Sequence, residues 1–291
     1  MPLAEIAAHL PKDLAEEALA HAAALTEIRI RAGRPCALAY GGADAFVGPP
    51  LTLSEVKRIA LSMMEHSYYA REEELNQGYF TMRGGSRVGV CGSCIVKDGA
   101  CFLQSIGSLC IRVAREIPGC GAEIAALLSQ GGALKSALVL SKPGMGKTTL
   151  LRDAARILSE GGRRVGIADE RHELAACRDG VPSVDVGPRT DVADGCPKAL
   201  GMERLIRCMA PEVIVTDEIG NPRDAWAVRE AARRGVALLA SAHAGGFDAL
   251  ENGPLGALIR DGLFQTAVLL DGAPGQIAGI RHYERGGKGC V

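Results

Sequence analysis

No apolar run in this chain of 291 residues approaches the roughly 18–20 residues that a bilayer-spanning helix needs. Aromatic side chains are scarce, with one Trp, five Tyr and five Phe. That is a thin supply for the stacking platforms on which single-stranded nucleic acid lies. Charge of one sign is also missing: 33 Lys and Arg face 34 Asp and Glu. A balanced chain lacks the basic stripe of a nucleic-acid footprint, so no nucleic-acid partner is expected. Acidic residues come early and no basic segment precedes an apolar one, so no signal peptide and a cytoplasmic location are expected. With 47% hydrophobic and 23% charged residues, wholesale disorder and low-complexity chains are excluded.

Cysteine is plentiful, but not as a framework. The ten cysteines are scattered, without the dense spacing of a small secreted disulfide scaffold. Cys91 and Cys94 form the one C-x-x-C, and no second pair stands at zinc-ligand spacing. No zinc is expected, and the thiols read as free.

The length suggests two domains. In the first half, residues 12–23 read as a helix and residues 27–32 as a strand with Ile28 and Ile30 on one side. Gly33-Arg34-Pro35 turns the chain into a strand over 36–40, and Ser54 is the expected N-cap of a helix to Glu65. Short strands are expected over 79–82 and 86–91 around Gly84-Gly85, and another over 108–114. These make a small α+β domain over 1–121. Residues 122–132 are the expected boundary, with a short helix inside them. The second half, 133–285, alternates strands with helices: 134–140, 163–168, 213–216 and 236–240 are strands, and 148–159, 202–209 and 223–233 helices. Two last strands are expected over 266–270 and 276–283. That rhythm implies a mainly parallel sheet covered on both faces. A mobile tail is expected over 286–291.

Between the first strand and first helix of the second half stands Ser141-Lys142-Pro143-Gly144-Met145-Gly146-Lys147-Thr148-Thr149. Strand, glycine-rich loop and helix are the context of a Walker A phosphate loop. Its backbone N–H groups curl around the β-phosphate of ATP, and the helix N-terminus favours the anion. Lys147 would reach the β- and γ-phosphates, and the Thr148 hydroxyl would bind Mg²⁺. Lys142, Pro143, Gly144, Met145, Gly146 and Thr149 complete the expected nucleotide contacts. Ser141 stands where the pattern has its first glycine.

Val213-Ile214-Val215-Thr216 is an apolar strand that ends in Asp217-Glu218. In an open α/β sheet, ligands bind beyond the carboxyl ends of the strands. Asp217 would hold Mg²⁺ there, and Glu218 would orient and deprotonate the attacking water. The plain alternative for the two acids is a turn or helix cap. Two other strands end in Asp169-Glu170-Arg171 and Ser241-Ala242-His243. Glu170 would polarise water or support the metal, unless it only pairs with Arg171. His243 would contact the γ-phosphate, unless it is a satisfied loop histidine.

The phosphate loop, the 169–171 triplet, Pro211 to Gly220 and the 241–243 triplet together resemble the secretion ATPases of type II and type IV systems. Within that superfamily, several first-half segments are similar to the stage III sporulation protein AA family. These are Glu27-Ile28-Arg29-Ile30-Arg31 with Gly33-Arg34-Pro35, Gln77 to Thr81, Gly85 to Gly89, and Ile111 to Arg115. The resemblance covers about residues 27–283. It implies a RecA-like P-loop ATPase domain preceded by a smaller α+β N-terminal domain. It also implies a hexamer in the mother-cell cytoplasm, peripheral to a membrane, partnered by channel proteins joining mother cell and forespore. The family brings N-terminal arginines near the γ-phosphate, and Arg112 and Arg115 fit by position; Arg83 and Arg87 are further candidates, and all four read equally as solvated strand arginines. The tetracysteine zinc motif of type II ATPases is missing. Two other functions compete: a nucleic-acid-binding P-loop protein, and a subunit that binds nucleotide without turnover.

Overall fold

The computed structural model describes residues 2–22, 24–40, 43–65, 72–82, 86–97, 100–113, 116–177 and 180–284. The chain divides into two compact units, Met1–Arg115 and Glu116–Val291.

The first unit opens with two helices, α1 (Pro2–Ala7) and α2 (Lys12–Ala20). Strands β1 (Leu25–Arg31), β2 (Cys36–Tyr40) and β3 (Ala43–Val47) precede helices α3 (Leu53–Met63) and α4 (Glu72–Asn76). Strands β4 (Tyr79–Thr81), β5 (Arg87–Lys97) and β6 (Ala100–Arg112) complete it. The strands form an antiparallel sheet in the order β3-β2-β1-β6-β5-β4. Strict alternation sends Ile28 and Ile30 inward, onto a core with Leu38, Val88, Leu109, Ile111 and the apolar face of α3. Glu27, Arg29 and Arg31 take the other face, opposite Arg112, Cys110 and Ser108.

Thr52, not Ser54, caps α3. The Thr52 hydroxyl accepts from the Glu55 N–H, and the Glu55 carboxylate accepts from the Thr52 N–H. The T-x-x-E spacing satisfies two orphan donors at once, which a serine one residue into the helix does not. β5 and β6 run far beyond the short strands expected, with bulges at Cys91/Gly92 and Ser93/Cys94. Gly92 permits that long pairing, because a Cβ there would lie 1.7 Å from the Ser105 carbonyl oxygen. The turn at Gly84-Gly85, Arg83, Arg115 and the tail over 286–291 lie outside the described residues.

The second unit begins with α5 (Ala122–Ser129), the helix expected inside the boundary. It belongs to this unit, because Ile124, Leu127 and Leu128 are buried in this unit's core. There follow β7 (Ala137–Ser141), α6 (Lys147–Glu160), β8 (Val165–Asp169), β9 (Thr190–Asp194), α7 (Lys198–Cys208) and β10 (Val213–Thr216). The unit ends with α8 (Pro222–Arg233), β11 (Ala237–His243), α9 (Phe247–Glu251), α10 (Gly256–Arg260), β12 (Thr266–Leu270) and β13 (Ile277–His282). The sheet order is β13-β12-β7-β11-β10-β8-β9, parallel except for β13. Successive residues of each central strand face opposite cores. Val139, Val213 and Val215 pack with α5 and α6, while Leu138, Leu140 and Ile214 pack with α7 and α8. β9, α9 and α10 were not expected; β9 is a polar edge strand with no apolar run to betray it. β7, β11, β10 and β8 are adjacent and parallel, so their carboxyl ends share one rim.

Candidate active site

The phosphate loop leaves β7 at Ser141 and enters α6 at Lys147. Gly144 and Gly146 adopt φ of +79° and +81°, where a Cβ is strained. Gly146 also lies against the 273–275 turn: the Gly275 N–H donates to the Met145 carbonyl at 2.8 Å. Ser141 closes the strand without a positive φ, so its backbone does not need the glycine of the usual pattern. Its hydroxyl instead accepts from Lys147 Nζ at 3.1 Å. Lys147 also reaches the Lys142 carbonyl at 3.4 Å and His243 Nδ1 at 3.2 Å. Burial lowers the Lys147 pKa, against the opposing pull of Asp217 and Glu218.

At the end of β10, the Thr148 hydroxyl donates to Asp217 Oδ2 at 2.8 Å, and the Ser241 hydroxyl donates to Asp217 Oδ1. A Thr hydroxyl and a carboxylate in contact are hard oxygen donors. Mg²⁺ in nucleotide sites takes one or two such groups and fills its shell with phosphates and water. These two residues therefore fit that ion. Among the described residues no group of three or more His, Cys, Asp or Glu could hold a metal by itself.

Glu218 has φ of +44°, a left-handed conformation that a non-glycine residue adopts only when its surroundings enforce it. Its N–H donates to Ser241 Oγ at 3.0 Å, and its carbonyl accepts from Lys198 Nζ at 2.8 Å. Its carboxylate accepts from His243 Nε2 at 2.9 Å and pairs with Arg171. With the His243 proton on Nε2 toward Glu218, Nδ1 is free to accept from Lys147. Burial pushes the Glu218 pKa up, but His243 and Arg171 outweigh it, so the carboxyl lies below its ordinary value.

Glu170 does not pair with Arg171. Its partner is Lys198, at 3.4 Å, because Arg171 reaches across to Glu218. Asp169 is not at the chemistry: buried, it accepts the N–H groups of Glu173, Leu174 and Ala175 and so shapes the loop after β8. Desolvation raises its pKa. Thr149 borders a cavity of about 310 Å³, with Arg152, Asp153 and Arg156 on the same helix and Glu116, Ile117, Pro118 and Asp185 opposite.

The structure thus brings Lys147, Thr148, Asp217, Glu218 and His243 into one hydrogen-bonded cluster, with Glu170 at its edge. Arg112 lies apart from them in the sequence, exposed on β6 of the first unit. Cys91 and Cys94 are exposed on β5. Sequence reasoning missed Ser241, Arg171 and Lys198 as members of the cluster. Ser241 and Arg171 lay inside triplets already singled out. Lys198 had its own signal, a lysine at the start of a helix, where the macrodipole disfavours a cation.

The sequence matches the family described as "Sporulation stage III, protein AA" over residues 3–289. The chain belongs to this family. Stage III sporulation protein AA of Bacillus subtilis (strain 168) is 41% identical over 225 residues, which is 75% of this chain and 73% of that relative. Among solved structures, the ATPase DotB of Legionella pneumophila superposes with a TM-score of 0.60 at 18% identity, covering 88% of this chain and 75% of that one. The pilus retraction motor PilT, solved with bound ADP, gives 0.60 at 17%, covering 88% and 76%. At that identity the likeness establishes the fold. This member of the stage III sporulation protein AA family has the RecA-like fold of the secretion ATPases, with an antiparallel-sheet unit in front. Among its described residues no helix is long and apolar enough to cross a membrane.

Proposed function

We propose that the protein is a Mg²⁺-dependent ATPase that drives or gates the channel between mother cell and forespore. The observation that carries the reading is the contact of Thr148 with Asp217 beside Lys147, with Glu218 one residue beyond. Loop N–H groups and the start of α6 would hold the phosphates. Phosphate oxygens would take over the Lys147 donors now directed at Ser141, Lys142 and His243. Ribose and base would lie toward the cavity beside Thr149. Thr148 and Asp217 would hold Mg²⁺, which neutralises charge on the β- and γ-phosphates. Glu218 would accept the proton of the attacking water, with His243 turning from Glu218 to the γ-phosphate and Glu170 steadying the water.

Family membership and the secretion-ATPase fold support the finer parts of the reading. They are a hexamer with Arg112 and Arg115 offered to a neighbouring copy's γ-phosphate, docked peripherally on channel proteins at the cytoplasmic membrane face. The test is titration calorimetry with ATP and Mg²⁺ alongside phosphate release. Lys147→Ala should weaken ATP binding by about 10- to 100-fold, the loss of a charge-assisted contact. Unchanged affinity would overturn the phosphate-loop assignment. Binding without phosphate release would favour a nucleotide-binding subunit without turnover. Release stimulated strongly by single-stranded DNA would favour a nucleic-acid partner.

A further inference from the structure

Lys198 is the first residue of α7, and its side chain is only 9% exposed. Both facts count against it as a stabiliser of its own helix. A cation at a helix N-terminus opposes the macrodipole, and a buried ammonium must recover its lost hydration from partners. Its partners are specific. Nζ donates to the backbone carbonyl of Glu218 at 2.8 Å and stands 3.4 Å from the Glu170 carboxylate. Lys198 also lines a small cavity together with Asp169, Glu170, Arg171, Asp217 and Glu218.

Glu218 needs such support. Its left-handed backbone is strained, and four polar side chains meet it: Ser241 on its N–H, Lys198 on its carbonyl, and His243 and Arg171 on its carboxylate. The carboxylate anchors are the ones that must let go if Glu218 is to meet water. Ser241 and Lys198 then remain as the side chains that set the direction of its Cα–Cβ bond. We propose that Lys198 is a positioning residue for hydrolysis, holding the strained backbone of Glu218 through its carbonyl. It touches neither Lys147 nor the phosphate loop in this structure, so it acts on the step and not on nucleotide binding.

The proposal rests on Glu218 as the base, and the experiment separates the two. Steady-state ATPase rates, ATP affinity and thermal midpoints are compared for wild type, Lys198→Met, Lys198→Arg, Glu218→Gln and the double variant Lys198→Met/Glu218→Gln. Lys198→Met should lower kcat by about 10- to 100-fold, the effect of a displaced catalytic group. ATP affinity and KM should stay within about threefold of wild type, since no nucleotide contact is lost. Lys198→Arg, which keeps charge and donor, should recover part of kcat. The double variant should turn over no more slowly than Glu218→Gln alone, because a residue acting only through Glu218 has nothing left to position. A Lys198→Met protein with wild-type kcat, additive losses in the double variant, or affinity falling in step with kcat would each overturn the role. Where Lys198→Met does not fold, Lys198→Gln takes its place with the same expectations. An inactive wild-type protein would overturn the hydrolysis reading and this role with it. An active one with Glu218→Gln unimpaired would overturn the base assignment and this role with it.

Discussion

The two units put their polar groups in different places. In the first unit the sheet is antiparallel, one face is buried, and the charged residues of β1 lie along the other face. In the second unit the central strands β7, β8 and β10 are buried along their whole length, and polar groups concentrate where strands end. A strand covered on both faces has no side left for charge, so chemistry is pushed to the rim. A strand covered on one face can carry arginines anywhere along its length. Polar groups of the second unit thus gather at its strand ends, whereas the first unit spreads charged side chains along the open face of its sheet.

The sharpest way to break that division is Glu218→Gln. It should lower turnover by at least about 100-fold while leaving ATP affinity near wild type, because the amide cannot accept the water's proton. Asp217→Asn should lose affinity for Mg²⁺ and ATP together with turnover. If Glu218→Gln retains the wild-type rate, the base is elsewhere on the rim, and Glu170 is next.

Two glycines test whether the units are independent. A Cβ on Gly121 would lie 2.3 Å from the Ala154 nitrogen of α6, and one on Gly92 would strike β6 in the first unit. Each alanine substitution should cost about 2–3 kcal/mol in denaturant unfolding, since backbone yields poorly. Gly121→Ala should also weaken ATP binding, because α6 carries the phosphate loop. Gly92→Ala should not, and equal losses would show that the units are coupled.

Thr52→Ala removes the side-chain half of the α3 capping box and should cost about 1 kcal/mol with no effect on ATP binding. The smallest effect is one of pH, and it is shared. Glu27 in the first unit and Glu218 in the second both have depressed pKa values. Burial opposes the shift at each, and Arg29 in the one case and His243 with Arg171 in the other outweigh it. A depressed carboxyl contributes stability above its unfolded value of 4.5, and the contribution fades as pH falls through the lower folded value. Both groups are partly solvated, so the Gln variants should fall below wild type at pH 7 by under about 1 kcal/mol. The gap should close in acid; one that persists at pH 3 would show that packing, not charge, causes it.

Several strands were legible because their signals are local. Val213–Thr216 and Thr266–Leu270 are apolar runs bounded by polar residues, and Cys36–Tyr40 follows a Gly-Arg-Pro turn. β9 and β3 were not: β9 is polar and β3 is short and largely exposed, and such edge strands are made by their neighbours and not by their own pattern. The capping box is legible as Thr52-x-x-Glu55, and the helix begins at Leu53, before Ser54 could cap it.

At the site, sequence by itself picked out the candidate phosphate-loop residues, because the loop, Lys147 and Thr148 lie within one contiguous segment. It also determined that strand ends rich in acid would face one another, since a parallel sheet aligns its carboxyl ends. Only the tertiary structure decided the partners. Arg171 sits beside Glu170 in the chain but reaches Glu218, and Lys198, 20 residues before Glu218, holds its carbonyl. Ser141, read as a departure from the loop pattern, supplies an acceptor to Lys147. The physical reason is that neighbours in the chain just past a strand end need not point at one another, whereas the alignment of parallel strand ends brings groups from distant segments within hydrogen-bond reach.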